Sequence, residues 1–371
     1  MTIDWNAIRA EFPALTHWTY LNTATYGQIP RRSVEAIARH FAHRDELACS
    51  DFLTWYDQAD CMRAPIARLI NATPADIAFI PNAATALGLV AGGIDWKPGD
   101  NVVTLAGEFP NQLYLPALIA DRRVEFREAA WERIDGSIDS RTRLVAISEV
   151  NYSTGFRAPI NDISKIAHDN GALVFVDGTQ SAGALRFDVQ QSRPDALAVH
   201  AYKWMCGPTG AGFLYIAPHL RAVLPPNTIG WRSHRGWRNV DNLHHGSPVL
   251  TDSAERYEGG GLAFGLLDAM AASAEWMLEI GPEAIEQRVL ALAGSARVRL
   301  RSLGAEVLDN RGSQTVAAKF PGDADPSRLA RELKERRVLV AARHGFLRVS
   351  PHFYNNESDL DRLEEELRKL L

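Results

Sequence analysis

Apolar residues recur every three or four positions over 33–47 and 52–70, a spacing that lines one face of a helix and predicts two helices there. From about 77 to 216 the pattern changes. Short apolar runs at 77–80, 102–105, 144–147, 173–176, 196–199 and 213–216 carry no polar alternation and are separated by helical stretches such as 162–170. Runs of this kind mark strands buried on both faces. Their alternation with helices predicts a mostly parallel, doubly wound sheet. After about 256 the pattern changes again. Glu258-Gly259-Gly260-Gly261 is a turn, a long helical stretch follows, strand-like runs occur at 315–320 and 346–350, and 358–371 is a charged amphipathic helix. The predicted class is α/β, with a large domain over 16–255 and a small α+β domain formed by 256–371 and completed by 1–15.

This framework places chemistry at strand ends. The run Leu173-Val-Phe-Val-Asp177-Gly-Thr-Gln180 delivers an aspartate at its carboxyl end, where open α/β sheets bind ligands. The next run ends in His200-Ala-Tyr202-Lys203. Two successive strand ends therefore offer a carboxylate and an amine. Pyridoxal 5′-phosphate (PLP) needs this pair: a lysine to hold its aldehyde, and an anion to keep the pyridine nitrogen protonated so that the ring accepts electrons. Taken singly, Asp177 also reads as a helix cap and Lys203 as a surface lysine. A third segment, Phe79-Ile-Pro-Asn82-Ala-Ala84-Thr85, runs from a strand through small residues into a helix. Small side chains let a phosphate approach the free N–H groups of the helix start, and Thr85 can add a hydroxyl. An ordinary Asn or Thr cap has the same pattern.

Together with Tyr20-Leu-Asn22-Thr-Ala24 and Gly207-Pro-Thr-Gly210, these segments resemble the class V aminotransferase family of fold-type I PLP-dependent enzymes, from about residue 17 to the C-terminus. That family holds cysteine desulfurases, kynureninases, isopenicillin N epimerase-like proteins and several lyases. The resemblance implies Lys203 as the Schiff-base lysine and the base that moves the α-proton of an amino-acid substrate. It implies Asp177 as the partner of the pyridine nitrogen, Gln180 at the phenolic oxygen, and Ala84, Thr85, His200 and Tyr202 around the phosphate. Phe109, in Ala106-Gly-Glu-Phe109-Pro110-Asn111, falls where the family stacks a ring on the cofactor. Desulfurases usually carry histidine there, whereas a phenylalanine is closer to kynureninases and exchanges no proton. Asn151 and Tyr152 fall near the substrate and the phenolic oxygen; core packing is the other reading of Phe109 and Tyr152.

Arg348, in Gly345-Phe-Leu-Arg348-Val-Ser350, resembles the arginine that grips the substrate α-carboxylate, with Asn22 and Ala24 closing the same pocket. Its planar fork offers two parallel charge-assisted hydrogen bonds. An arginine inside an apolar strand is costly without such a partner, although a structural salt bridge would also serve. Gly261 aligns with a position that in many relatives gives a threonine to the partner subunit's phosphate. Here only a backbone N–H is available, and the resemblance still implies a homodimer.

The family pattern breaks at the cysteines. Desulfurases carry a mobile nucleophilic cysteine in the stretch before the carboxylate arginine, and 332–345 contains none. Cys206 reads as packing behind the cofactor, and Cys49 and Cys61 fall in the early helices. The function expected is thus a PLP-dependent enzyme, aminotransferase-like, acting at the α-carbon of an amino acid. A C–S or β-lyase, a kynureninase-like hydrolase and an epimerase are the alternatives, and desulfuration through a persulfide is disfavoured. A nicotinamide dehydrogenase is disfavoured because Gly207-Pro-Thr-Gly210-Ala-Gly212 precedes a strand and opens no helix. A silent relative would lack Lys203.

Composition narrows the setting. A formal net charge of −5 argues against nucleic acid or an anionic membrane as partner. Three scattered cysteines suit neither a disulfide framework nor a zinc site, and no metal is expected. The N-terminus lacks a signal-peptide pattern, and the longest uncharged apolar stretch, 83–94, is too short to span a bilayer. A cytoplasmic enzyme is expected. The cluster Gly230-Trp231-Arg232-Ser233-His234-Arg235-Gly236-Trp237 reads equally as a site wall or as interface residues.

Overall fold

A computed structural model describes residues 3–322 and 324–371. The unalternating apolar runs become the central layer because successive strand residues point to opposite faces. Val145 and Ile147 enter the apolar cluster on one side of the sheet, while Leu144 and Ala146 enter the cluster on the other. The strands are β1 (Ile77–Ile80), β2 (Asn101–Leu105), β3 (Glu125–Ala129), β4 (Thr142–Ser148), β5 (Leu173–Asp177), β6 (Ala196–His200) and β7 (Gly212–Ile216). They form one seven-stranded sheet in the order β1-β7-β6-β5-β4-β2-β3. Strand β7 runs antiparallel to both neighbours, and the remaining pairs are parallel. The mostly parallel α/β sheet is as the sequence predicts. Strand β3 was not foreseen. Its sequence, Glu-Phe-Arg-Glu-Ala, is polar because it forms an open edge and is only partly covered.

The predicted early helices are α1 (Arg31–Leu47) and α2 (Phe52–Leu69); α3 (Ala83–Gly93) follows β1, and α4 (Ile160–Asp169) follows β4. Beyond the sheet come α5 (Phe264–Ile280), α6 (Pro282–Ser302), α7 (Pro326–Glu335) and α8 (Glu357–Leu370). The two foreseen C-terminal strands, β9 (Val316–Lys319) and β11 (Phe346–Val349), pair with each other. Two shorter strands, β8 (Glu306–Val307) and β10 (Ala341–Arg343), complete an antiparallel sheet of order β10-β11-β9-β8.

The N-terminal segment is stitched to this C-terminal unit. The Arg9 guanidinium donates to Asp359 at 2.7 Å and to the Tyr354 carbonyl at 2.9 Å. Thr19–Tyr20 pairs in parallel with Val338–Leu339, and Asn22 bridges to Ser350. This stitching carries residues 22–25 beside β11, and so to the site. No helix among the described residues is long and apolar enough to cross a membrane.

Of the Trp231–Trp237 cluster, Arg232, Ser233 and Trp237 are buried in the scaffold, while Trp231 and Arg235 are exposed. Arg232 is fully buried, donates to Glu255 and Glu258 at 2.7 and 2.9 Å, and lies against the rings of Tyr56 and Trp237. Glu258 also receives Arg63 and the Phe79 N–H that opens β1 toward α3.

Candidate active site

Parallel register brings the chemistry together. Ser148 at the end of β4 lies beside Asp177 at the end of β5, and Asp177 beside Ala198 of β6. The chain leaving β6 then turns through Tyr202 and Lys203. A cavity of about 320 Å³ opens at these carboxyl ends. Eight of the residues singled out in the sequence line it: Ala84, Phe109, Tyr152, Asp177, Gln180, His200, Tyr202 and Lys203. Asn82, read in the sequence as a cap, also lines it, as do Ala83, Asn111, Ser148 and Thr179, which were not singled out.

Lys203 and Asp177 are both buried. The Lys203 Nζ lies 5.3 Å from the centre of the Tyr202 ring and 5.7 Å from that of Phe109. Burial lowers its pKa to about 8; the Asp177 charge opposes this, and Arg348 and Arg343 reinforce it. For Asp177, burial raises the pKa, and hydrogen bonds from Thr179, whose N–H donates at 2.9 Å, work against it. The Lys203 backbone is fixed by close packing. A Cβ on Gly27 would collide with the Lys203 carbonyl oxygen, and the Gly27 N–H donates to the Tyr202 carbonyl at 2.9 Å.

At the other end of the cavity, α3 begins. The first N–H groups of a helix have no partner within it, and here they belong to Ala83 and Ala84 at the cavity wall. Thr85 departs from its expected place. It is exposed, and its N–H and hydroxyl both turn to Asn82 Oδ1, at 2.9 and 3.2 Å. His200 Nε2 accepts the Gly210 N–H at 3.2 Å, and burial depresses its pKa to about 4. A neutral ring accepting at Nε2 carries its proton on Nδ1, free to donate. The Tyr202 ring packs on His200 at 4.3 Å. Burial pushes its phenol up to about 12, so it stays a donor.

Arg348 approaches from the other unit. It is 1 % exposed and lies on β11. One Nη donates to the Tyr152 carbonyl; the other donates to the Thr25 hydroxyl and reaches Asn22 Oδ1 at 3.4 Å. Nε has no partner. Among the described residues, no carboxylate lies within 4 Å of this guanidinium. Burial first, and Arg343 second, bring its pKa down to about 9. Thr25 was not foreseen, because only the Asn22–Ser350 bridge brings it here.

Two residues of the expected set, Ala24 and Asn151, do other work. The Ala24 carbonyl accepts Gln180 Nε2 at 3.0 Å while Gln180 Oε1 accepts Trp204 Nε1 at 3.0 Å, which locks the glutamine amide over the cavity. Asn151 donates to the Gly107 carbonyl at 2.8 Å and accepts the Ser153 and Thr154 N–H groups, so its amide shapes its own loop. Gly261 lies beside Tyr56, outside the cavity wall.

The family model for class V aminotransferases matches residues 19–363. The chain belongs to this family. Among its relatives, a probable cysteine desulfurase of Methanothermobacter thermautotrophicus is 28% identical over 98% of this chain and 97% of its own length. The isopenicillin N epimerase of Streptomyces clavuligerus is 27% identical over 99% of this chain and 98% of its own. The fold is also that of a lysine-to-alanine mutant of C-DES with glycine covalently linked to the PLP cofactor, with TM-score 0.89, 24% identity, and coverage of 99% of both chains. An apo cysteine desulfurase from Thermococcus onnurineus NA1 gives TM-score 0.89 at 24% identity, covering 100% of this chain and 98% of that one.

As a class V enzyme the chain uses PLP, and its residues fit that group. A buried amine and a buried carboxylate face one cavity, with an unpartnered helix start of two alanines at its far end. Strands β10 and β11 join through His344-Gly345, both at positive φ (48° and 81°), which makes a tight two-residue hairpin, and residues 332–345 hold no cysteine. Cys206 is buried, and burial raises its thiol pKa above the ordinary range; Cys49 and Cys61 are exposed.

Proposed function

We propose that this class V enzyme acts at the α-carbon of an amino acid in an aminotransferase-like reaction. The observation that carries the reading is the meeting of the buried Lys203 amine and the buried Asp177 on one cavity, with Arg348, an arginine without a carboxylate partner, behind its wall and bonded to the carbonyl of the lining residue Tyr152. PLP, when bound, supplies an electron sink for charge developing at the α-carbon. Lys203 holds the cofactor and, with its pKa brought down to about 8, takes and returns the α-proton near neutral pH. Asp177 keeps a proton on the pyridine nitrogen. Ala83 and Ala84 N–H groups, His200 Nδ1–H and the Tyr202 hydroxyl hold the phosphate, in place of the Thr85 hydroxyl. Arg348, with Asn22 and Thr25 behind it, orients the substrate carboxylate. Phe109 covers the ring and Gln180 reaches its phenolic oxygen. The family resemblance supports a cytoplasmic homodimer, in which Gly261 offers a backbone N–H to the partner.

A β-lyase is the second reading, since elimination of a β-substituent requires no protein cysteine. Desulfuration through a persulfide is disfavoured by the β10–β11 hairpin, although several relatives are named probable cysteine desulfurases. The deciding experiment loads purified protein with PLP and supplies a panel of amino acids with and without a keto-acid acceptor. Keto acid, pyruvate, ammonia and sulfide are followed separately. Acceptor-dependent keto-acid formation is expected; a colourless protein that cannot be loaded with PLP would sink the assignment. Should L-cysteine release sulfide, replacing Cys49 and Cys61 by serine leaves the rate unchanged, whereas its loss would restore the persulfide route.

A further inference from the structure

A second cavity, about 440 Å³, adjoins the cofactor cavity and shares Ser148 and Tyr152 with it. This is within the size range of small-molecule sites. Its apolar wall is Leu105, Leu113, Trp131 and Phe156, with the two aromatic ring centres 6.3 Å apart. Glu108, Glu132 and His344 also line it; no lysine or arginine does, and the Arg311 guanidinium lies outside the lining, over the Trp131 ring at 5.0 Å. Tyr152 is where three features meet. Its ring stands edge-on to Phe109 at 5.2 Å, its hydroxyl is bonded to His344, and its carbonyl accepts Arg348. A substrate carboxylate held by Arg348 is thereby held next to Tyr152, the residue at the opening between the cavities.

Building on the function proposed above, we infer that this second cavity receives the substrate's side chain, and that the substrate is a neutral amino acid with a large apolar or aromatic side chain. Aromatic and aliphatic walls favour an apolar occupant. The Glu132 carboxylate, with the partly charged Glu108 bonded to Ser148 beside it and no lysine or arginine in the lining, disfavours an acidic one. A side chain as short as that of alanine or cysteine would leave the Trp131–Phe156 wall uncovered. Trp131 doubles as a reporter of occupancy.

The test uses PLP-loaded protein titrated with L-phenylalanine, L-alanine and L-aspartate. Half-saturation is read from the visible absorbance and, independently, from tryptophan fluorescence compared with a Trp131→Phe variant. L-phenylalanine is expected to half-saturate at a concentration about tenfold or more below L-alanine, with L-aspartate weakest. Filling the cavity from its exposed rim with Ala130→Trp, or from its wall with Leu113→Trp, should shrink the phenylalanine preference by about tenfold. Alanine or aspartate binding as tightly as phenylalanine would overturn the inference. So would a preference untouched in a folded filling variant, or a loss of oligomer in these variants without a change of preference, which would give the cavity to a second copy of the chain. Failure to take up PLP would overturn the parent reading as well, whereas uptake with an alanine preference overturns this inference alone.

Discussion

Replacing Arg348 with methionine should make the unliganded protein more stable and the enzyme a poor binder of amino acids. The guanidinium is 1 % exposed and has no carboxylate within 4 Å among the described residues. Its pKa falls from 12.5 to about 9, which corresponds to roughly 5 kcal/mol spent on keeping it charged. Because the folded value is the lower one, this penalty is present in full below about pH 9 and is relieved only as pH climbs toward 12.5. The opposing term is the loss of hydrogen bonds to the Tyr152 carbonyl, the Thr25 hydroxyl and Asn22 Oδ1, at about 1 kcal/mol each. Methionine fills the space without charge and adapts to irregular packing. The balance is a gain of about 2 kcal/mol at neutral pH, read as a higher urea midpoint at unchanged slope.

Function moves the opposite way. A carboxylate held by two charge-assisted hydrogen bonds draws about 3 kcal/mol or more from this arginine. Arg348→Met should therefore raise the half-saturating amino-acid concentration by about 100-fold. Arg348→Lys retains a charge but not the fork, and should recover only part of the loss. A variant that unfolds more easily while binding amino acids as well as the parent would refute the reasoning and make Arg348 a structural cation.

Two further outcomes follow from the same buried charges. With its folded pKa near 8 against an ordinary 10.5, Lys203 reduces stability below about pH 8 and ceases to do so as pH rises toward 10.5; PLP uptake by the apoprotein should accelerate with a midpoint near pH 8, and a midpoint above 10 would contradict the burial argument. Glu258 pairs with the buried Arg63 and Arg232 and accepts the Phe79 N–H, so Glu258→Ala should cost about 3–5 kcal/mol in urea denaturation, and a loss below 1 kcal/mol would show that the network is not needed by the fold.

The central sheet was legible because strands buried on both faces lack alternation, as at 144–147 and 173–176. Strand β3 was illegible for the converse reason: an edge strand keeps polar residues. Asp177, Lys203 and Arg348 could be found because each is an ionisable residue at the end of, or within, an apolar run. Ser148 and Thr25 could not. Ser148 gains its place from register with Asp177, and Thr25 from a bridge joining residues 22 and 350. Asn82 and Thr85 carried a local signal with two meanings, cap or phosphate contact. The structure uses Asn82 as the cap and Thr85 as the capped residue.

The protonation states around the cavity bear on which reaction the site favours. Phe109 exchanges no proton. His200 is neutral with its acceptor nitrogen taken by Gly210, and its pKa near 4 leaves it unable to gain a proton at neutral pH. The Tyr202 phenol, near 12, does not lose one there. Gln180, Thr179, Asn82 and Asn111 do not titrate, and Asp177 serves the pyridine nitrogen. Lys203, near 8, is brought by its surroundings to where a proton can be gained and lost under physiological conditions. Glu108, raised by burial to about 7, is a second such group, but it faces the adjoining cavity and meets this one only through the Ser148 hydroxyl. With Lys203 as the base on the wall of the cofactor cavity, the proton returns on the face from which it was taken. Transfer to a neighbouring carbon on that face is transamination, whereas inversion at the α-carbon asks for a second base opposite. This supports the aminotransferase-like reading over epimerisation, even though an epimerase stands among the relatives.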